Sequence, residues 1–332
     1  MAVTMKDVAK LAGVSLSTVS RVLNNSSLVK EKTAEKVKKA VKKLNYQVDD
    51  SARILRTQKS NLIGFIGAGM GNPFLTKLLK GVETTANEKG YNILYGDSDG
   101  EYRQEINYLN IMRRKKIDGI IILSANIYTD LLKKIKKYEI PVVFASGYIN
   151  DNDIACVTVD NVNAAHDVID YFIKQGHKKV GIISGPYSDT VASEERIKGV
   201  RLAYKLNNKE FSKELIVEGE FNFESGYTGA KTLLEKDEQI SAIFAFNDVM
   251  AIGALKYLKS IGKKIPEDIS VIGFDDIELA QYVNPQLSTV AQSPLELGAN
   301  SVELLDKLIK NKDIEENKII IPHNLILRES TR

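Results

Sequence analysis

The sequence predicts two architectures in one chain of 332 residues. A small all-α head is built on a helix-turn-helix, and a larger α/β body has two lobes with parallel sheets. Three observations carry that reading. Residues 4–23 hold a capped helical pattern, a glycine turn and a second capped pattern. From Asn61 onward, apolar β-rich runs alternate with helical stretches, and they come in two sets. Charge divides along the same line. Residues 1–60 hold 13 Lys and Arg against 5 Asp and Glu, a surplus of +8, so the remainder carries −5 of the overall +3. A basic head on a mildly acidic body is the electrostatic layout of a nucleic-acid-binding module attached to a sensor.

In the head, Thr4 stands where an N-cap belongs and Asp7 follows three residues later. Val8, Ala9 and Leu11 supply a short apolar face. Ala12-Gly13-Val14 is the turn, where Gly13 can take a positive φ. Ser15 caps the second helix. Val19 and Val22 point to the core, while Leu16, Ser17, Ser20 and Arg21 point outward. Small polar residues and an arginine at the start of a second helix suit reading of the DNA major groove. Ala34, Val37, Val41 and Leu44 recur at helical spacing and predict a third helix over 32–45. Residues 49–59 form a short helical stretch with one buried-type pair, Ala52 and Leu55, too short to be stable alone in water. Read alone, it is a linker.

In the body, the first set of strands is expected at Leu62–Ile66, Tyr91–Tyr95, Gly119–Leu123, Val142–Ala145 and Ala155–Val159. The second set is expected at Lys179–Ser184, Leu215–Glu218, Ala242–Phe246 and Ile269–Phe274. Segments near Ser288–Ala291 and Lys318–Leu327 supply crossovers and edge strands. Parallel α/β sheets bind ligands at the carboxyl ends of their strands, so two such lobes make a cleft that hinges around a small molecule. Asn247 and Asp275 follow directly on apolar strands and should face it. Asp248 reads as the first residue of a helix rather than as a ligand contact.

The whole chain resembles the lactose/galactose-repressor family of bacterial transcription regulators. The head carries its Asp7-Val8-Ala9, Ala12-Gly13-Val14-Ser15 and Thr18-Val19-Ser20-Arg21-Val22-Leu23-Asn24 in register. The body carries Asn72-Pro73-Phe74, Gly176-His177, Ser184-Gly185-Pro186, Arg196-Ile197-Lys198-Gly199, Asn247-Asp248, Ile272-Gly273-Phe274-Asp275-Asp276 and Pro285-Gln286-Leu287-Ser288-Thr289-Val290. The resemblance implies a DNA-binding domain at 1–47, a hinge helix at 48–60 that folds on the operator, and a periplasmic-binding-protein-like effector-binding core at 61–332. Its N-lobe spans about 61–160 and 291–319, and its C-lobe about 161–290 and 320–330. It also implies DNA contacts from Thr4, Ser15, Leu16, Ser17, Thr18, Ser20, Arg21 and Asn24. Ala52 then packs near a dimer axis and Leu55 wedges into the minor groove.

Arg196 and Asp160 match family positions that contact effector. With Asn247 and Asp275 they offer a guanidinium, carboxylates and an amide to a polyhydroxylated ligand, a sugar or sugar phosphate. Phe74 and Phe221 supply apolar faces for a sugar ring. The chain departs from the family in places. Val48-Asp49 replaces the usual Pro-Asn, Lys30 replaces the usual Ser cap of the third helix, and Thr190 stands about where the purine repressor has an arginine.

The expected function is therefore a repressor switched by a small molecule. As a homodimer it grips a palindromic operator. The family's leucine-heptad tail is lacking, which favours a dimer over a tetramer. The alternative is control by a phosphorylated carrier protein. Pro285–Val290 resembles the catabolite control protein there, but Asn284 replaces the arginine used for docking. A transport-type sugar-binding protein is opposed by the basic head and by a start that lacks a secretory signal. An enzyme is opposed because no Ser-His-Asp grouping, paired carboxylate motif or metal-ligand spacing stands out. Gly67-Ala68-Gly69-Met70-Gly71 fails the dinucleotide pattern, since Asn72 stands where its third glycine belongs. The reading thus includes no cofactor and no metal. One cysteine, Cys156, and no membrane-length apolar run point to a cytoplasmic protein.

Overall fold

The computed structural model describes residues 3–23, 28–46, 59–69, 71–124, 126, 128–147, 154–189, 191–312 and 316–332. The chain divides into two compact units, Met1–Ser60 and Asn61–Arg332. The expected contacts Asn24, Ala52 and Leu55, and most of the expected hinge, lie outside the described residues.

The first unit holds α1 (Met5–Ala12), α2 (Leu16–Leu23) and α3 (Glu31–Lys43). The backbone N–H and hydroxyl of Thr4 donate to Asp7 Oδ2 at 2.9 and 2.7 Å, which fixes the start of α1. Gly13, at φ 66°, donates its N–H to Ala9 O and ends the helix. The hydroxyl of Ser15 accepts from the N–H of Thr18 at 3.2 Å. Val8, Val19 and Val37 are fully buried and pack with Ala9, Val22 and Ala40. Each fully buried valine contributes about 1.5–3 kcal/mol, a large share of what a unit this small can gather. Leu11 corrects the sequence reading: it is 44% exposed. The inward stripe of α1 runs through Met5, Val8, Ala9 and Ala12, and Leu11 falls about a quarter turn outside it. The third helix begins one residue before the expected 32 and ends two before 45, at Lys43.

The second unit is two six-stranded sheets. The first contains β1 (Leu62–Gly67), β2 (Asn92–Asp97), β3 (Gly119–Ile122), β4 (Val142–Ala145), β5 (Ala155–Val159) and β11 (Lys318–Ile321). Its order is β11-β5-β4-β3-β1-β2 and every pair is parallel. The second contains β6 (Val180–Ser184), β7 (Ile216–Glu218), β8 (Ala242–Ala245), β9 (Ser270–Asp275), β10 (Ser288–Ala291) and β12 (Asn324–Ile326). Its order is β12-β10-β9-β8-β6-β7, with only β12 antiparallel. The segment Ser288–Ala291 is thus an inner strand, and β11 and β12 take the edges. Four-residue strands such as β3, β4 and β8 are wholly buried and apolar, the pattern of a sheet covered on both faces.

The chain passes between the lobes three times: after β5 at Asp160, after β10 at Gln292, and between β11 and β12 at Pro322-His323. His323 Nε2 lies 3.0 Å from Asp167 Oδ2, which ties the third passage to the second lobe. Helices cover the sheets. The first lobe has α4 (Pro73–Glu88), α5 (Tyr102–Arg114), α6 (Thr129–Tyr138) and α11 (Pro294–Ile309). The second has α7 (Asn161–Lys174), α8 (Ala192–Leu206), α9 (Phe223–Lys236) and α10 (Asp248–Ser260). Among the described residues no helix is long and apolar enough to cross a membrane.

Candidate functional site

The carboxyl ends of both sheets face a common cavity of about 160 Å³. The first lobe lines it with Ala68, Asn72, Phe74, Leu123, Ser124 and Ser146, each in the loop after a strand or the helix start that follows. The second lobe contributes Asp189, Val191, Ala192, Arg196, Phe221, Asn247 and Asp275, and Gln292 comes from the second crossover. This is where the right-handed winding of parallel sheets leaves room for a ligand.

Arg196, on the first turns of α8, is 4% exposed. Its Nε donates to Asn161 Oδ1 at 2.9 Å and its Nη1 donates to Phe246 O. The guanidinium lies over the Phe274 ring at 3.5 Å from the centroid. Burial lowers its pKa, while the charges of Asp275 and Asp189 push it back up. Asp275 ends β9 at φ 115°, a backbone conformation that side chains rarely adopt. Burial pushes its carboxyl up to about 6, against the pull of Arg196 and of the hydrogen bond from Gln292. That bond runs from Gln292 Nε2 to Asp275 Oδ1 at 2.5 Å. Arg196 with Asn161 and Asp275 with Gln292 are thus two hydrogen-bonded pairs, joined by the attraction between the guanidinium and the carboxylate. Asn161 Nδ2 and Gln292 Oε1 remain buried without a hydrogen-bond partner.

Five of the six residues expected at the effector site line this cavity: Phe74, Arg196, Phe221, Asn247 and Asp275. Asp160 does not. Its carboxylate caps α7, accepting from the N–H and side-chain amide of Asn163 at 2.9 and 2.6 Å. Asn247 is partly committed as well, because Oδ1 accepts from the N–H of Met250 at 2.8 Å and Nδ2 donates to Phe221 O at 2.9 Å. It holds Phe221 at φ 55° against the cavity. Asp248 opens α10 fully buried, bonded to Thr289 Oγ1 at 2.5 Å and to the N–H of Ile277 at 2.8 Å. Sequence reasoning missed Asp189, Gln292 and Asn161. Asp189 accepts from the N–H groups of Val191 and Ala192 at 2.9 and 3.0 Å. An acid just before a helical pattern is the signal that marks such a cap. Among the described residues no His, Cys, Asp and Glu cluster could hold a metal ion.

In the other unit, Thr4, Ser15, Leu16, Ser17 and Arg21 are exposed, and Thr18 and Ser20 are half-buried. Leu16 is 45% exposed at the first position of α2, where a core residue would be hidden. Leu16 and Ser17 at the start of α2, and Arg21 in its last turn, therefore present an apolar group, a hydroxyl and a guanidinium from a helix whose other face, Val19 and Val22, is anchored.

A helix-turn-helix with that outward face, on a body that encloses a polar cavity between two lobes, defines a ligand-responsive DNA-binding regulator. Residues 4–49 match the family of bacterial regulatory proteins of the lacI type. Residues 60–329 match the periplasmic binding proteins and sugar binding domain of the LacI family. The chain belongs to the LacI family. It is 35% identical over 332 residues to the catabolite control protein A of Priestia megaterium, covering all of both chains. The lac repressor dimer bound to operator and the anti-inducer ONPF superposes with a TM-score of 0.89 at 26% identity, over 100% of this chain and 99% of that one. The transcriptional regulator CelR in complex with cellobiose gives a TM-score of 0.77 at 27% identity over 99% of both chains. The chain is a sequence-specific DNA-binding transcription regulator with an effector-binding body.

Proposed function

We propose that the protein is a repressor of carbohydrate-utilisation genes whose operator affinity is set by a sugar held between the lobes. The observation that carries this reading is the cavity itself. Its polar groups come from both lobes, and the lobes are joined by only three crossovers. A ligand that engages both walls binds one lobe arrangement better than another, and that difference in affinity is what shifts a conformational equilibrium. Arg196 and Asp275 grip hydroxyls, Asp189 and Gln292 complete the polar floor, and Phe74 and Phe221 cover the ring. Asp160 contributes a helix cap instead. Arg196 and the two carboxylates are already held by protein groups, so they are assigned to binding and not to turnover.

On DNA, a homodimer places two α2 helices in successive major grooves of a palindrome, as befits a family with an operator-bound dimer among its structures. Leu16 and Ser17 set base preference and Arg21 contacts guanine or phosphate. Thr4, Ser15, Thr18 and Ser20 dock against the backbone. The site of action is the cytoplasm, where the DNA is. A bidentate base contact is worth about 1–3 kcal/mol, so Arg21→Ala is expected to abolish specific binding while sugar binding survives. A gel shift against a selected operator, paired with calorimetry on the same preparation, checks this. Equal operator affinity for the variant and its parent refutes it. The similarity to a catabolite control protein supports a second reading, in which a phosphorylated carrier protein docks near Pro285–Val290. The exposed Asn284, in place of an arginine, weighs against it.

A further inference from the structure

We infer that the cleft of this chain is built for a neutral oligosaccharide of at least two rings, and that it turns away phosphorylated sugars. The inference rests on the proposal that a sugar occupies the cavity, and it names which kind.

Room comes first. The inner cavity, at about 160 Å³, is smaller than the roughly 300–1,000 Å³ usual for small-molecule sites. It shares Ala68, Asn72 and Phe221 with an outer hollow of about 610 Å³ at the mouth of the cleft. Both lobes wall the outer hollow, so it is a continuation of the inner one. It is wide because Gly69, Gly71 and Gly100 bring no side chains to it. A Cβ on Gly71 would meet nothing within 4 Å. The motif that fails as a nucleotide loop thus acts here by leaving space.

Apolar contact is distributed along the same path. Phe74 lines the inner cavity, Phe221 stands on the boundary, and Phe223, 42% exposed at the start of α9, lines the outer hollow. Successive aromatic faces give each of two linked rings its own apolar surface. A single ring uses only the inner part.

Charge decides between neutral and phosphorylated ligands. Among the described lining residues, Arg196 is the one cation, set beside Asp189 and Asp275 in the inner cavity, while Asp99 and Glu220 line the outer hollow with no cation. Helix N-termini are the other usual phosphate-binding device. Here each of them already gives at least one N–H to its own cap. Asn72, Asn222 and Asn247 accept from the N–H groups of Phe74, Ser225 and Met250 at 2.9, 2.8 and 2.8 Å. Asp189 does the same for α8. Among the described lining residues a phosphate would meet four carboxylates and one cation. The unpartnered Oε1 of Gln292 asks for a hydroxyl donor, which a neutral sugar supplies.

The test is calorimetry and thermal shift on the full-length protein with glucose and N-acetylglucosamine, with cellobiose, maltose and N,N′-diacetylchitobiose, with adenosine, and with glucose 6-phosphate. A disaccharide is expected to bind at least tenfold more tightly than its own monosaccharide, and glucose 6-phosphate not at all. Gly71→Leu, at a position with open space around it, is expected to weaken the disaccharide at least tenfold and the monosaccharide less than twofold. Phe223→Ala is expected to weaken the disaccharide with an unchanged melting temperature of the free protein. A monosaccharide or adenosine bound as tightly as any disaccharide, or tighter binding of the phosphate, overturns this inference and leaves the regulator reading standing. Equal weakening of both sugars by Gly71→Leu also overturns it. Silence across the panel removes the sugar reading and the inference together.

Discussion

Each lobe turns the carboxyl edge of a six-stranded sheet toward the cavity, yet the two edges differ in chemistry. The first lobe offers Ala68, Asn72, Phe74, Leu123, Ser124 and Ser146, none of them charged, whereas the second offers Asp189, Arg196 and Asp275 beside Val191, Ala192, Phe221 and Asn247. The partners of Arg196 (Asn161, Phe246 and the Phe274 ring) also belong to the second lobe. Glu105, a buried acid of the first lobe, stands behind Ser124, whose hydroxyl donates to it at 2.6 Å. Buried charges are costly unless their partners are fixed. Keeping the cavity's cation and acids in one lobe lets their interactions persist whatever the lobe angle. The arrangement predicts that a ligand docks first on a preorganised second lobe, with the first lobe as its cover.

The hardest test of this asymmetry removes the cation. Arg196→Met leaves Asp275 and Asp189 buried beside no positive charge. Breaking a buried pair in this way costs about 3–5 kcal/mol. Urea unfolding is expected to show that loss, together with loss of sugar binding. Arg196→Met combined with Asp275→Asn is expected to regain part of the stability, because one uncompensated charge has gone. Ser124→Ala, on the first lobe's wall, is expected to cost about 1–3 kcal/mol, the value of a hydrogen bond left unmade at a buried acid. Equal losses from Arg196→Met and Ser124→Ala would remove the distinction between the lobes.

Two buried acids, one from each lobe, should also answer pH in opposite directions. Asp275 sits at about 6 when folded, against an ordinary value of 3.8. The folded state thus binds its proton more tightly than the unfolded chain. Its contribution is fully present below 3.8 and is lost as pH rises through about 6, a change of about 3 kcal/mol. In the first lobe, burial raises the carboxyl of Asp306, but hydrogen bonds from Lys310 and Tyr91 outweigh it and hold the group below its ordinary value. Its contribution is present at neutral pH and is lost as pH falls. Unfolding of Asp275→Asn and Asp306→Asn across pH 3–8 is expected to flatten opposite limbs of the stability profile. Parallel changes in the two variants would contradict the assignment.

Much of this was legible in the sequence, and the misses have physical reasons. The head was readable because Thr4, Asp7, Gly13 and Ser15 act locally, each through neighbours within four residues. Strands were readable because sheets buried on both faces leave uninterrupted apolar runs. Arg196 and Asp275 were found through family position and strand end. Asn161 and Gln292 were not, because their partners lie 35 and 17 residues away and meet them only once the crossovers form. Asp160, expected from its family position, does not line the cavity, and Asn163, three residues on, takes its carboxylate. Leu11 was misplaced because hydrophobicity outweighed helical phase.

The smallest expected effect bears on what the lobes have in common. Each pairs helices through mutually contacting glycines: Gly81 of α4 with Gly298 of α11, and Gly226 of α9 with Gly253 of α10. A Cβ on Gly81 would lie 2.3 Å from Leu295 O, and one on Gly226 would lie 2.1 Å from Met250 O. A backbone carbonyl cannot swing aside as a side-chain tip does, so the helices must part. Overpacking of this kind costs about 1–3 kcal/mol, offset in part by the better helix propensity of alanine. Gly81→Ala and Gly226→Ala are expected to cost similar amounts in urea unfolding, and to add within about 0.5 kcal/mol when combined, because the sites share no partners. Their effects on binding should diverge. Gly226→Ala displaces the starts of α9 and α10, which carry Phe223 and follow Asn247, and so disturbs the polar wall. Gly81→Ala displaces α4, which brings only Phe74 and the Asn72 cap. A greater loss of sugar affinity in Gly81→Ala than in Gly226→Ala would place the principal contacts in the first lobe and reverse the order of docking and closure.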